Sequence, residues 1–522
     1  MAAELSHRSP ARAARAGAHL ARVVRALVVA LSALIVVGSG TRAAAESRPR
    51  YGGAIVGGVA GAPVGLDPTR ARGPAEVQLI ELLFDRLYQI GPGGAVLPRL
   101  AAGPPVIDGN VAHIPVRPGL TSHDGSALGP ADVVASLQRL RTSPAGWLLA
   151  GVGDITALGD GVRVELDGPT PDLAARLAVP MAAITRRGQA PTLADPAGTG
   201  PFRLARLDRT RRVISLTAFA DHALGRPYVD TLTLGWFPSP DGEARRFETG
   251  AAHVSLGGAT AFAGHAPKFA AAELQGPASV LVYVGFGRAH PAVLAHREFR
   301  RALDLALPRA GLAAVGGGER IVPTTTPIPL ELGGDPIDDH GRAGDLDGAR
   351  AALRLAGAAV PDLAPAGLPS LRLEIGVAAS RPGDREVAER VVRALDKLGI
   401  AAVVTDVEDA ALRQRIEAGT LDLYIDHLPA LAVEATLLYV AAFEAGGDDW
   451  GRAQLRATRP APAVWARAWR ERRPILPLLH RGPRAHVRTD VRGAAFDGLG
   501  RLGWADLSLW GKPERSGGTR QP

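Results

Sequence analysis

The sequence predicts an α/β protein built from more than one domain. Three observations carry that prediction. The chain has 522 residues, 46% of them hydrophobic, which is more material than one core commonly organises. Between residues 371 and 425, strand and helix periodicities alternate, and between about 90 and 190 short β-type runs are separated by turn residues.

The alternation is clearest in the second half. Leu371–Val377 alternates like a strand, Asp384–Leu398 has helical spacing, and Ile400–Val404 returns to strand. Ala410–Ala418 is again helical and leads to Leu421–Ile425. This β-α-β-α-β order implies a sheet with crossover helices.

Nearer the start, Tyr51–Pro63 mixes an apolar strand with glycines. It is not a dinucleotide fingerprint, because Val64-Gly-Leu-Asp-Pro68 follows as a loop and the glycine spacing is wrong. Glu76–Tyr88 places apolar residues at 77, 79, 80, 83, 84 and 87, one face of a helix. Two β runs flank Asp108-Gly109, a favoured hairpin turn, and the pattern returns at Gly159–Leu166. A β-rich subdomain is therefore expected over roughly 90 to 190.

Composition narrows the function. The formal charge is +8, but basic and acidic residues are interspersed and aromatics make up only 5%, so neither a basic stripe nor stacking platforms for bases are present. Nucleic acid is not an expected partner. Arg12, Arg15, Arg22 and Arg25 precede an apolar run, Ala26–Val37, and then Ala43-Ala-Ala45. This is the layout of a secretory signal, 1–45, and the run is shorter than the roughly 20 residues of a membrane span. The expected location is the periplasm. With no cysteine in the chain, disulfides, a thiolate nucleophile and a lipid-modified cysteine are excluded.

The stretch Leu120-Thr-Ser-His-Asp-Gly-Ser126 sets His123 beside Asp124. No Gly-x-Ser-x-Gly elbow and no His-Glu-x-x-His motif accompanies it. Asp124-Gly125 supplies a tight turn, and Pro130 with Asp132 starts a helix. His123 is accordingly read as a structural residue, and no catalytic residue is assigned.

That stretch, continued through Gly129-Pro-Ala-Asp-Val-Val134, resembles the signature of the family 5 extracellular solute-binding proteins, the peptide/nickel-type receptors of ABC importers. Other segments follow in the same order: Leu66-Asp-Pro68, Leu87-Tyr88, Val96–Ala101, Gly198-Thr-Gly-Pro-Phe202, Gly225–Asp230, Phe299–Ala306, Asp345–Gly357, Leu398-Gly-Ile400 and Pro474–Leu478. The likeness runs over nearly the whole chain after the signal.

The resemblance implies a two-lobed periplasmic-binding-protein fold of type II, with a β-rich subdomain inserted in the first lobe. Lobe I would comprise 46–90, 191–283 and 474–522, the insert 91–190, and lobe II 284–473. Hinges would lie near Val282–Gly285 and Arg473-Pro474. It also implies capture of a peptide or small organic solute by lobe closure, delivery to an ABC transporter permease, no cofactor and a monomer. Nickel and haem carriers belong to the family, but His113 and His123 are fold landmarks and no histidine pair has ligand spacing, so no metal site is assigned.

The expected contacts are Gly61, Ala62 and Pro63 in the loop before Leu66-Asp-Pro68, Tyr283 and Phe286 at the hinge, and Asp426, His427 and Glu434 opposite. In peptide-binding members an aspartate of lobe II pairs with the ligand's ammonium, inside a segment with a tryptophan and an Asp-Pro. The corresponding Asp422–Ala435 lacks both. Glu434 or Asp426 is the candidate replacement, and the alternative for either is a solvated surface carboxylate. The block between Tyr439 and Trp465 is shortened, and Gly285-Phe-Gly287 stands where many members carry an asparagine, which favours an apolar or bulky ligand. Two other functions are weighed: a ligand sensor or presenter that no longer transports, and an exported hydrolase, which the missing nucleophile motifs disfavour.

Overall fold

The computed structural model describes residues 49–510, apart from 60, 62, 64, 72, 92–93, 193–194, 238–239, 257–266, 269–270, 316–319 and 458–460. The expected signal segment and Ala62 lie outside the described residues.

The glycine-bearing run after the start forms the strand Ala54–Gly58, which pairs in parallel with Thr231–Gly235 in register Ile55↔Leu232. It lies in the middle of a seven-stranded sheet, with Phe202–Asp208, Val213–Ala218 and Thr231–Gly235 to one side and Val254–Ser255, Arg484–Arg488 and Ala271–Gln275 to the other. This sheet is the frame of the first lobe.

The second lobe is built on the predicted alternation. Arg372–Ala378 and Ala401–Val407 pair in parallel, bridged by the helix Pro382–Asp396, and the helix Asp409–Ala418 leads on to Leu423–Pro429. Leu423–Pro429 pairs in parallel with Arg372–Ala378 and antiparallel with Val280–Phe286. Leu476–Gly482 and Arg320–Pro323 complete six strands.

The chain passes between the sheets at residues 276–279 and again at Pro483, and Gly276 N–H donates to the Pro483 carbonyl at 2.8 Å. A Cβ on Gly482 would stand 2.8 Å from the Gly276 carbonyl oxygen, so glycine lets the two crossings run side by side. These positions differ from the expected boundaries. Val280–Phe286 and Leu476–Gly482 are paired along their length inside the six-stranded sheet, so 280–283 and 476–482 belong with the second lobe. A strand cannot change sheets in mid-ladder without abandoning its backbone hydrogen bonds.

In the region expected as the insert, Val106–Asp108, Val111–Pro115, Gly161–Leu166 and Val152–Leu158 form a four-stranded antiparallel sheet. Pro130–Arg141 follows as a helix, its first-turn Asp132 accepting from Gly129 N–H at 2.9 Å and Arg187 N–H at 2.7 Å.

The helix expected over Glu76–Tyr88 spans only Pro74–Leu83. The Leu83 carbonyl is taken by the N–H groups of Thr199 and Gly200 at 3.1 and 3.0 Å, and Phe84 turns to extended backbone. Added Cβ atoms at Gly198 and Gly200 would lie 2.3 Å from the Leu83 oxygen and 2.5 Å from the Phe84 nitrogen, so the Gly-Thr-Gly turn is the piece that stops the helix. His123 holds that turn. Its N–H donates to Gly198 O at 2.9 Å, and its Nε2 lies 2.9 Å from Gly200 O.

Candidate functional site

The expected contacts fall in three places: around Gly61 and Pro63, ahead of the Pro74–Leu83 helix; at the C-terminal ends of the second-lobe strands; and in the segment leading into the helix Ala435–Ala445. Crevices outside the carboxyl ends of parallel strands are where α/β sheets take ligands.

At those strand ends, register sets the geometry. Tyr283 lies opposite Asp426 and Val282 opposite His427. Because side chains alternate across a sheet, Tyr283 and Asp426 share one face and His427 points to the other. The Tyr283 hydroxyl lies 3.4 Å from Asp426 Oδ2, and its ring packs edge-on to Tyr424 at 6.3 Å.

On the opposite face, His427 Nε2 is 2.8 Å from Asp384 Oδ1, in the first turn of the Pro382–Asp396 helix. Both groups are buried. Burial opposes the Asp384 charge, but His427 and Arg381 beside it hold its carboxyl down at about 2. Burial likewise lowers the His427 imidazole, against the raising effect of the neighbouring Asp384 carboxylate.

Arg381, between strand and helix, joins the two faces. Its Nε stands 3.0 Å from Asp384 Oδ2, and its outer nitrogens stand 3.4 and 3.5 Å from Asp426 Oδ1. With 19% of its side chain exposed, and 21% for Asp426, this pair presents a positive and a negative group at the rim of the sheet. Sequence reasoning missed Arg381; the signal is an arginine between the end of a parallel strand and a Pro-started helix.

Glu434 immediately precedes the helix Ala435–Ala445. Its neighbour Val433 packs on Gly94 of the first lobe. Glu434 Oε2 is buried without a hydrogen-bond partner among the described residues. Burial pushes its carboxyl up, and the charge of Asp172, itself 3.1 Å from Arg176, adds to the effect. A buried acceptor with spare capacity is suited to an ammonium or another donor from outside the chain.

The other expected contacts separate. Gly61 adopts φ +97° with open space where a side chain would stand, and Pro63 is buried, its carbonyl 3.4 Å from Arg209 Nη1. Phe286 lies at the far end of its strand, opposite Leu423, beneath the Arg300 guanidinium at 4.4 Å. The structure therefore brings together Tyr283 and Asp426, places His427 behind the sheet, and leaves Phe286 in packing. Tyr283 is mid-strand and not in a crossing, for the pairing reason given above.

The shortened block turns inward. Tyr439 stacks on Trp465 at 6.1 Å, and Phe443, Trp450 and Trp469 pack around them at 5.1 to 6.5 Å. Among the described residues, no group of three His, Cys, Asp or Glu side chains is placed to hold a metal ion, and no helix is long and apolar enough to cross a membrane.

Residues 95–436 match the model of the bacterial extracellular solute-binding proteins, family 5 Middle. A Bacillus subtilis (strain 168) protein, the uncharacterized YhjP, is 26% identical over 277 residues, which is 52% of this chain and 45% of that protein, so the match spans less than half of the relative. The oligopeptide-binding protein AppA of Bacillus subtilis, solved with a nonapeptide, superposes with a TM-score of 0.73 at 18% identity, covering 89% of this chain and 100% of that one. AgaA from A. tumefaciens R10, solved with agropinic acid, gives 0.71 at 19% identity over 88% of this chain and 99% of its own. At such identities the two structures establish the two-lobed fold and nothing finer.

Proposed function

Because the chain belongs to the bacterial extracellular solute-binding proteins of family 5, a family of binding proteins and not of enzymes, we propose that it captures an oligopeptide or another organic solute between its lobes and delivers it to an ABC transporter permease. Export through the signal at 1–45 into the periplasm, and action as a monomer, are parts of the same reading. The observation that supports the ligand assignment is a set of charged groups: Arg381 with Asp426 at the sheet rim, and the Glu434 carboxyl, whose buried Oε2 has no hydrogen-bond partner among the described residues. A ligand with a cationic and an anionic end would satisfy Glu434 and Arg381, while the apolar surroundings would accept its body. Closure then follows from contacts that exist only in the closed state.

The test is native mass spectrometry of the protein purified from its producing cell, beside its denatured mass, followed by titration calorimetry with a defined tripeptide mixture. A released organic mass, with Glu434→Gln weakening binding of amine-bearing ligands about tenfold, supports the reading. A protein that stays bare in peptides and in cell extract overturns it. That outcome would move weight to a second reading, a ligand sensor or presenter, which the inward-packed block between Tyr439 and Trp465 favours.

A further inference from the structure

Glu76 stands in the first turn of the Pro74–Leu83 helix with 3% of its surface exposed. Among the described residues, its carboxylate collects donors from three directions. Gly65 N–H reaches Oε1 at 3.2 Å, from the end of the loop that begins at Gly61, and Gly73 N–H reaches Oε2 at 3.3 Å, from the residue before the helix. The third set comes from the second lobe: Arg413 Nη1 and Nη2 lie 2.9 and 2.8 Å from Oε1 and Oε2. This is the fork-to-fork arrangement in which guanidinium and carboxylate bind most strongly and with least geometric freedom.

The two halves of this pair are held differently. Glu76 is fixed before Arg413 arrives, since both N–H donors belong to its own lobe and the helix N-terminus favours its charge. Arg413 comes from the helix Asp409–Ala418 of the six-stranded sheet, 337 residues away, with 22% of its side chain exposed. Its neighbour Leu412 is buried in the same apolar cluster as Val77 and Ile80 of the Glu76 helix. The pair exists only while those two helices are adjacent. Opening the lobes returns Arg413 to water and leaves Glu76 with its backbone donors.

We propose that Glu76 is a positioning residue for ligand capture, which holds the backbone at Gly65 and receives Arg413 as the lobes come together, so that the Glu76–Arg413 pair sets the population of the closed state. The proposal rests on the capture reading above, and it assigns to this pair the part of closure that no ligand contact supplies. A ligand binding a partly closed protein loses less affinity to the conformational step.

The experiment measures the lobes directly and needs no ligand. The chain has no cysteine, so cysteines introduced at the exposed Ala205 and Lys397, one on each lobe, carry the only nitroxide labels. Pulsed dipolar spectroscopy then gives the interlobe distance distribution of the full chain. Arg413→Met keeps the stem and leaves Glu76 its N–H donors, and a single cooperative melting transition of the labelled protein verifies that the fold is retained. The short-distance population is expected to fall relative to the long one by roughly tenfold or more, and Glu76→Gln, whose single carbonyl oxygen keeps an acceptor for one of the two glycine N–H groups, should shift it the same way. Unchanged distributions in both variants would overturn the proposal, as would a shift in Glu76→Gln alone, which would place the effect in the loop and not in the pair. Failure of the capture reading shows separately, as a bare mass and flat calorimetry.

Discussion

Among the histidines that have an aspartate as neighbour, His123 and His427 sit in neighbourhoods of opposite kinds. His123 and Asp124 are adjacent along the chain, yet their side chains serve different structures. The imidazole meets the Gly200 carbonyl and lies edge-on to Phe219 at 5.1 Å, whereas the carboxylate turns outward to Ser122, Ser126 and Arg186. His427 and Asp384 are 43 residues apart and directly hydrogen-bonded in a dry interior, with Arg381 completing the cluster at the rim of the cleft. Adjacency in sequence puts successive strand and turn side chains on different sides of the backbone. Proximity with chemical consequence comes from pairing and packing between distant segments.

The comparison can be broken most forcefully at Asp384. Asp384→Ala would leave His427 and Arg381 without their buried partner, and unfolding in urea should show a loss of about 3–5 kcal/mol. A loss below about 1 kcal/mol would mean that the cluster is solvated and that the contrast with Asp124 is false.

The next effect belongs to acid pH. Burial lowers the His123 and His480 imidazoles to about 4, against about 6.5 in an unfolded chain. Depressed histidines contribute stability that is fully present above 6.5 and is lost as pH falls from 6.5 to 4, because the unfolded chain takes up the proton first. Each contributes at most about 3 kcal/mol over that window. His123→Gln and His480→Leu should each flatten the fall in melting temperature between pH 6.5 and 4; an unaltered slope in both would show that these rings protonate freely in the folded protein.

The smallest effect is expected at Asp124. Its side chain is 41% exposed, and its pair with Arg186 is screened by solvent. Asp124→Ala should cost only about 0–1 kcal/mol by the same urea measurement, and a cost near that of Asp384→Ala would erase the distinction.

Much of the fold was legible because the periods of strands and helices are local. The alternation from 371 to 425, the Asp108-Gly109 hairpin and the Pro130 helix start all depend on residues within a few positions of one another. Errors arose where a distant segment decides. The Pro74–Leu83 helix is stopped by glycines at 198 and 200, and the lobe crossings depend on which strands pair, which no local pattern reports. The site divides in the same way. Tyr283 and Asp426 meet through register, and alternation alone could have sent His427 to the opposite face. Arg381 left a weak local trace. Arg413 left none, since its partner is an ordinary first-turn glutamate in another lobe.

The hydrogen bond between Gly276 and Pro483 has a further consequence. The six-stranded sheet draws its strands from between 280 and 482, and this long segment leaves and re-enters the seven-stranded sheet at points one hydrogen bond apart. Topologically it is a cassette, flanked by strands 271–275 and 484–488 that pair directly with each other across the junction. Such a junction lets one lobe diverge while the other keeps its form, consistent with a first lobe rich in family landmarks beside a second lobe that has lost several of them.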